Sequence, residues 1–327
     1  MFTDILILIA GFAMLIKGAD FLVNGSSKLA AKLGVSPLIV GLTIVAFGTS
    51  APELIVNIFA SIQGSSSIAV GNIIGSNTVN IGLILGISAL ITPLRISQQI
   101  ITREIPLMLL SALVFFALVA DNVFDHNQFG ILSRNDGIVM LLVFSIFIYY
   151  LAIQILKQNH EHKTKSKESK NVTEKPKDSF FKLSLLILAG LLGVILGGKL
   201  VVDSAVVIAI DLGVSEALVG LTIVSVGTSL PELFTSVIAA TKKHFDIAVG
   251  NIVGSNIFNT LFILGISGII NPIGFDTAWF GDLTIMIVFS LALLLFAVTY
   301  KKIIRRWEGG MLLIGYIVYI TFTIIRG

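Results

Sequence analysis

"GVSPLIVGLTIVAFGTSAPELIVNIFAS", residues 34–61, returns as "GVSEALVGLTIVSVGTSLPELFTSVIAA", residues 213–240. The offset is 179 residues without a gap, and the same offset aligns "IAVGNIIGSNTVNIGLILGIS" at 68–88 with "IAVGNIVGSNIFNTLFILGIS" at 247–267. Each copy of the first segment is an apolar stretch interrupted by a glutamate directly after a proline: Pro52–Glu53 and Pro231–Glu232. A carboxylate inside a membrane costs several kcal/mol unless something compensates it, and each proline removes a backbone donor. The matched segments are the polar ones, so the duplication preserves chemistry and not packing alone.

The rest of the chain supports the membrane setting. Its 327 residues are 55% hydrophobic and 13% charged, with mean hydropathy +0.98; soluble domains carry about 25% charge. Apolar runs of spanning length fall near 2–24, 36–62, 68–91, 105–121, 137–156, 182–208, 215–241, 247–270, 279–300 and 309–326. The expected fold is an all-α membrane protein of ten transmembrane helices. The first run starts at Phe2 without a basic flank and reads as a span and not as a cleaved signal. There is no cysteine, which excludes disulfides, thiolate chemistry and cysteine-ligated metal.

Between the fifth and sixth spans lies "KQNHEHKTKSKESKNVTEKPKD", residues 157–178, lysine-rich and nearly devoid of apolar side chains. It cannot bury a core and reads as a flexible linker. The expected division is a five-span repeat at 1–156, a polar linker at 157–181 and a second repeat at 182–327. Five is odd, so the second repeat enters from the opposite side. Inverted repeats of this kind place their substrate site near the midplane, in broken helices.

Lysine and arginine set the orientation. Lys28, Lys32, Arg95, Arg103, the linker, Lys242, Lys243 and the cluster Lys301, Lys302, Arg305 and Arg306 all fall in loops on one side. That side is expected to be cytoplasmic, with both termini outside, in a prokaryotic inner membrane. The net charge of +3 is small and confined mostly to these loops, so it argues for topology and against nucleic acid. The expected partners are the lipid bilayer and ions, with no obligate protein partner and no resident cofactor.

The polar residues share helical faces. Ala46, Thr49, Ser50, Glu53 and Asn57 lie on one face of the second span, and Ser225, Thr228, Ser229, Glu232 and Ser236 repeat it in the seventh. Gly48 and Pro52 weaken the helix there, which frees backbone carbonyls. The third span offers Asn72, Ser76 and Asn80, and the eighth Asn251, Ser255 and Asn259. Asn72 and Asn251 fit a ligand or an interhelical bond equally; Asn77 and Asn256 lie off that face and suit bracing of backbone. All four histidines lie in loops. Two carboxylates with hydroxyl, amide and carbonyl oxygens suit a hard cation: Ca²⁺ takes 6–8 oxygens, whereas Zn²⁺ and Cu²⁺ favour His or Cys. Two negative charges balance one Ca²⁺ or two Na⁺, so the two ions compete. Asp20 and Asp203, near span ends, suit interfacial solvation; Lys17 and Lys199 suit snorkelling.

"GTSAPE" with "GNIIGSN", and "GTSLPE" with "GNIVGSN", resemble the two α-repeats of the calcium/cation antiporter superfamily, most closely its prokaryotic sodium/calcium exchangers. The resemblance covers essentially the whole chain. It implies exchange of external Na⁺ for internal Ca²⁺, commonly three for one, by alternating access, with the first and sixth spans as a sliding gate. Carried over by position, it implies Ca²⁺ ligands from the side chains of Glu53 and Glu232 and the carbonyls of Thr49 and Thr228. Na⁺ would use Ser50, Ser76, Ser229, Ser255, the carbonyls of Ala46 and Ser225, and the two shared glutamates; Asn80 and Asn259 would complete the cluster. Several relatives have Asp where this chain has Asn259, and in the potassium-dependent branch that acid is linked to K⁺, so Asn259 implies K⁺ independence and electrogenic exchange. A proton-coupled Ca²⁺ exchanger, a channel and an intramembrane carboxylate enzyme are the alternatives; two acids set among hydroxyl and amide ligands argue against the enzyme.

Overall fold

The computed structural model describes residues 2–120, 129–168, 178–213, 225–276, 278–299 and 302–326. The helices are α1 (Phe2–Leu33), α2 (Pro37–Thr49), α3 (Ala51–Ile62), α4 (Ser66–Ile91), α5 (Ile100–Val119), α6 (Arg134–Glu168), α7 (Phe180–Asp211), α8 (Leu230–Thr241), α9 (Phe245–Ile270), α10 (Ala278–Thr299) and α11 (Arg306–Arg326). Among the described residues eight helices are long and apolar enough to cross a membrane, and α2 with α3 makes a ninth crossing bent by 47°. The expected seventh span, 215–241, is described only from Ser225 onward, as a short helical stretch Ser225–Gly227 followed by α8. The arrangement is the ten-helix, inverted five-plus-five one.

Two details differ from the sequence reading. Helix α6 continues to Glu168, into the segment expected as a linker, because Lys, Gln and Glu are good helix formers. Among the described residues four short strands also occur, in two antiparallel pairs: β1 (Leu94–Arg95) with β4 (Ile303–Ile304), and β2 (Phe129–Leu132) with β3 (Ile273–Asp276). Each pair joins the two repeats at the ends of their helices, where backbone leaving a helix needs new hydrogen-bond partners.

Helices α4 and α9 form the centre: 78% and 83% of their apolar windows are buried, against at most 44% for any other long helix. The outer helices instead expose apolar side chains such as Leu142, Ile146, Ile314 and Val318, as lipid contact requires. Helices α1 and α7 lie against each other through glycines at equivalent positions. A Cβ on Gly18 would stand 2.7 Å from the Val194 backbone nitrogen, and one on Gly190 2.6 Å from that of Leu22. Gly11 and Gly197 repeat the approach one turn pair away, with Gly197 2.8 Å from the Leu15 nitrogen. Such contacts let two helices meet backbone to backbone, the association that survives where lipid is as apolar as leucine.

Candidate cation-binding site

The break between α2 and α3 falls at Ser50, whose ψ of 9° leaves the helical region; Ser229, with ψ of 5°, makes the same break before α8. The causes are Pro52 and Pro231, which cannot donate to the carbonyls of Gly48 and Gly227 four residues back. Each glutamate then sits in the first turn after its break, Glu53 being 1% and Glu232 0% exposed. A second distortion faces them. Helices α4 and α9 turn to π-helix over Asn80–Leu85 and Phe258–Ile263, beginning within one residue of Asn80 and Asn259. Wide turns of this kind recur at functional positions because they redirect side chains and loosen carbonyls.

The two repeats interleave at the carboxylates. Ser50 of the first repeat donates to Glu232 Oε1 at 2.8 Å, and Ser229 of the second donates to Glu53 Oε1 at 3.3 Å. Ser76 reaches Glu53 Oε1 and Ser255 reaches Glu232 Oε1, both at 3.4 Å; Ser255 also lies 3.4 Å from the Ala46 carbonyl. Among the described residues no Lys, Arg or His pairs with either glutamate, and no group of three or more acids and histidines forms. Two other buried acids are paired with cations, Asp282 with Arg326 at 2.8 Å and Glu308 with Arg305 at 3.1 Å, whereas buried Glu104 accepts from Gln99 and Tyr150 at 3.1 and 2.8 Å.

Asn77 and Asn256, assigned by the sequence to bracing, orient the amides of the site. Asn80 donates to Asn256 Oδ1 at 2.9 Å, and Asn259 donates to Asn77 Oδ1 at 3.2 Å. Asn256 also donates to the Asn77 backbone carbonyl at 3.3 Å, so part of the bracing role holds. With both amide N–H₂ groups directed across the repeat boundary, Asn80 Oδ1 and Asn259 Oδ1 are left buried without partners, as are Glu53 Oε2 and Glu232 Oε2. Four acceptor oxygens in symmetric pairs, two of them carboxylate, are therefore unsatisfied, and a cation is what such a set can accept. The signal in the sequence was the i, i+3 pairing of Asn77 with Asn80 and of Asn256 with Asn259 in both copies.

The remaining predicted residues divide. Thr49 donates to Asn251 Oδ1 at 3.0 Å and lies 3.3 Å from the Ala46 carbonyl, whereas the hydroxyl of Thr228 is buried without a partner. Asn251 donates to Ser236 at 3.0 Å, and Asn72 to Asn57 Oδ1 at 2.6 Å, so these asparagines serve interhelical bonds. Ser225 begins the helical stretch before the second break. The surroundings are asymmetric: Gly71, Asn72 and Gly75 on α4 are half-buried, while Gly250, Asn251 and Gly254 on α9 are buried. A Cβ on Gly254 would stand 2.8 Å from the Leu42 carbonyl, so α9 is sealed against α2. On that sealed side Lys242 binds Asp20 of α1 and reaches Asn24 Oδ1 at 2.9 Å. At the positions of α7 equivalent to Asp20 and Asn24 stand Lys199 and Asp203, which among the described residues pair only with each other, at 3.0 Å, and stay exposed.

Inverted repeats crossing at two broken helices, with unpaired carboxylates between them, define a secondary transporter of cations. A model of the family "Sodium/calcium exchanger protein" matches residues 3–153 and 182–325. The chain is 38% identical over 315 residues to the putative antiporter CaxA of Alkalimonas amylolytica, covering 95% of each. It is 36% identical over 344 residues to the sodium/calcium exchanger MaX1 of Methanosarcina acetivorans, covering 97% of each. The solved sodium-calcium exchanger NCX_Mj superposes with TM-score 0.81 at 32% identity, over 97% of this chain and 98% of that one. The chain belongs to the sodium/calcium exchanger family: it is an integral membrane protein of a cation/Ca²⁺ antiporter lineage, whose relatives are transporters and not enzymes.

Proposed function

We propose that the protein exchanges Na⁺ for Ca²⁺ at the Glu53–Glu232 site by alternating access. The observation that carries the proposal is the pair of buried glutamates with no cationic side chain beside them, each held at one oxygen by serines of both repeats and bare at the other. Such a site is electrostatically incomplete by two charges. One Ca²⁺ or two Na⁺ complete it, and a third Na⁺ on the serine oxygens would leave a net positive charge, so exchange of three for one is electrogenic. Glu53, Glu232 and the Thr49 and Thr228 carbonyls are proposed to hold Ca²⁺. Ser50, Ser76, Ser229, Ser255 and the Ala46 and Ser225 carbonyls are proposed to complete the Na⁺ positions. Asn80 and Asn259 present neutral oxygens; the absence of an acid at Asn259 supports K⁺ independence.

The proposed orientation puts the basic loops in the cytoplasm of a prokaryotic cell and both termini outside. Helices α1 and α7 are proposed to slide across the core as the gate. A proton-coupled Ca²⁺ exchanger is the second reading, since the same carboxylates can release protons. The deciding experiment is uptake of radiolabelled Ca²⁺ into proteoliposomes under a Na⁺ gradient alone, a pH gradient alone, and a Na⁺ gradient with and without K⁺. Uptake on the Na⁺ gradient, unchanged by K⁺ and accelerated by an inside-positive potential when Na⁺ leaves the vesicle, is expected. Uptake driven only by the pH gradient would replace this reading with the second.

A further inference from the structure

The two ends of the molecule are built on the same backbone and carry opposite chemistry. On the basic face, a cavity of about 620 Å³ is lined by Thr92, Pro93, Arg95, Lys243, Phe245 and Ile303. It lies beside the β1–β4 pair, where Arg95 stands opposite Ile303. On the far face the β3–β2 pair repeats this register, with Gly274 opposite Ile131. The 179-residue offset puts Gly274 in the place of Arg95 and Gly64 in the place of Lys243. The strand register likewise puts Gly130, next to Ile131, where Lys302 stands next to Ile303. Three basic residues on one face thus replace three glycines on the other.

The backbone records what that replacement costs. Gly64 has φ +71°, a left-handed conformation natural to glycine, and Lys243 keeps the same conformation at φ 63°. Lys243 and Lys302 (φ 61°) are the only non-glycine residues with positive φ among the described residues, and both border this cavity's strand pair. A lysine held where glycine is unstrained points to a use for its side chain. Neither Arg95 nor Lys243 has an ion-pair partner among the described residues. The other walls, Pro93, Phe245 and Ile303, are apolar. A neighbouring cavity of about 320 Å³ shares Arg95 and Lys243 but contains Asp246, which makes it the poorer home for an anion. Trp307, 51% exposed and stacked by Arg305 at 4.8 Å, lies close by in sequence to β4, as an aromatic at the membrane–water boundary does.

We propose that the larger cavity binds the headgroup phosphate of an anionic phospholipid from the leaflet on the basic face. Arg95 and Lys243 take the phosphate oxygens, and Phe245 and Ile303 cover the glycerol and first acyl carbons. Two cations over an apolar wall at the end of a span match a lipid better than a free anion, which has nothing to place against Phe245 and Ile303. Diffuse positive charge on this face would attract anionic lipid without a site, so the test must separate the two.

The full chain, purified in neutral detergent, is titrated with phosphatidylglycerol, and retained lipid is read by native mass spectrometry beside the shift in melting temperature. Lys243→Gly is the central variant, because Gly64 shows that glycine suits this turn, so its folding is not at risk. We expect one tightly retained phosphatidylglycerol, weakened roughly 5-fold by Lys243→Gly and about 25-fold when Arg95→Gln is added. Lys28→Gln, which removes a charge elsewhere on the same face, should leave retention unchanged. Inorganic phosphate and glycerol phosphate should give no protection at concentrations where the lipid does. Unchanged retention in the double variant, an equal loss in Lys28→Gln, or equal protection by inorganic phosphate would each overturn the proposal.

Discussion

Thr49 and Thr228 occupy the same position in their repeats, as do Asn251 and Asn72. Thr49 is bonded to Asn251 at 3.0 Å, and both are fully buried. The Thr228 hydroxyl has no partner among the described residues, and Asn72, half-buried, donates to Asn57 Oδ1. The ends of α1 and α7 differ for a reason written in the sequence: the offset puts Lys199 in the place of Asp20, Asp203 in that of Asn24 and Gln63 in that of Lys242, so Lys242 holds Asp20 while Lys199 pairs with Asp203. Among the described residues, the matched threonines of the two inverted copies therefore sit in different surroundings. Under the proposed alternating access, exchanging such surroundings between the repeats would move the open side to the other face.

The largest effect should come from the residues the two repeats share. Glu53→Gln and Glu232→Gln each remove a charge from the centre and should lower Ca²⁺ exchange in proteoliposomes by at least about 100-fold. The variants should still fold, since glutamine keeps the shape and removes the unpaired charge. If either one transports at the normal rate, the site lies elsewhere. Next in size is Gly18→Val. Its Cβ would fall 2.7 Å from the Val194 backbone nitrogen, so α1 and α7 must part, and the melting temperature of the purified protein should fall by an amount corresponding to about 2–4 kcal/mol. A Gly18 variant that melts like the parent would deny the direct backbone packing.

The sealed side can be loosened more gently. Lys242→Ala releases α1 from the α8–α9 corner. Both partners are partly exposed, at 28% and 38%, so the shift between states should be about 5-fold at most. Apparent Ca²⁺ affinity should rise on the basic face and fall on the other; equal change on both faces would mean that the pair acts on stability alone. Thr49→Val and Thr228→Val test the contrast directly. The first loses a buried hydrogen bond worth about 1 kcal/mol, and the second loses only an unsatisfied hydroxyl and should be neutral or stabilising. Thermal unfolding compares them, and equal losses would mean that the two threonines are held alike.

The smallest expected effect is a pH dependence. Burial, with Lys242 nearby, holds the His244 imidazole below its ordinary value of 6.5. Below that pH the unfolded chain takes up a proton that the folded protein resists, so this residue's contribution to stability falls as pH falls. His244→Gln should remove the slope, by under about 0.5 kcal/mol for so partly buried a group, measured as melting temperature between pH 5 and 7.

The fold was legible because its signals are long-range and redundant: apolar lengths for the spans, a gapless repeat for the architecture, an odd span count for the inversion. The site was legible as far as residue type and helical spacing reach, which brought Glu53, Ser50, Ser76 and their twins onto facing surfaces. What escaped depends on the surroundings each repeat meets. Thr49 and Thr228 read alike in sequence, and only packing distinguishes them. The part of Asn77 and Asn256 in aiming their neighbours' amides escaped for another reason. They lie on regular α-turns just before the π stretches, off the face that carries Asn72, Ser76 and Asn80, and the i, i+3 spacing to Asn80 and Asn259 does not by itself say that the bonds cross between the repeats.

The glycine contact between α1 and α7 has a mechanical consequence. Gly18 against Gly190, and Gly11 against Gly197, remove the knobs by which each helix would grip its own repeat independently. The two outer helices are thereby fastened spine to spine, as one plank lying across both thresholds of the same room. Under the proposed gating, a plank tipped towards one doorway would be lifted from the other, so the cation path would be uncovered at one end only while it is covered at the opposite end. Leak prevention would then need no sensor and no signal between the entrances; it follows from their having a single shared door.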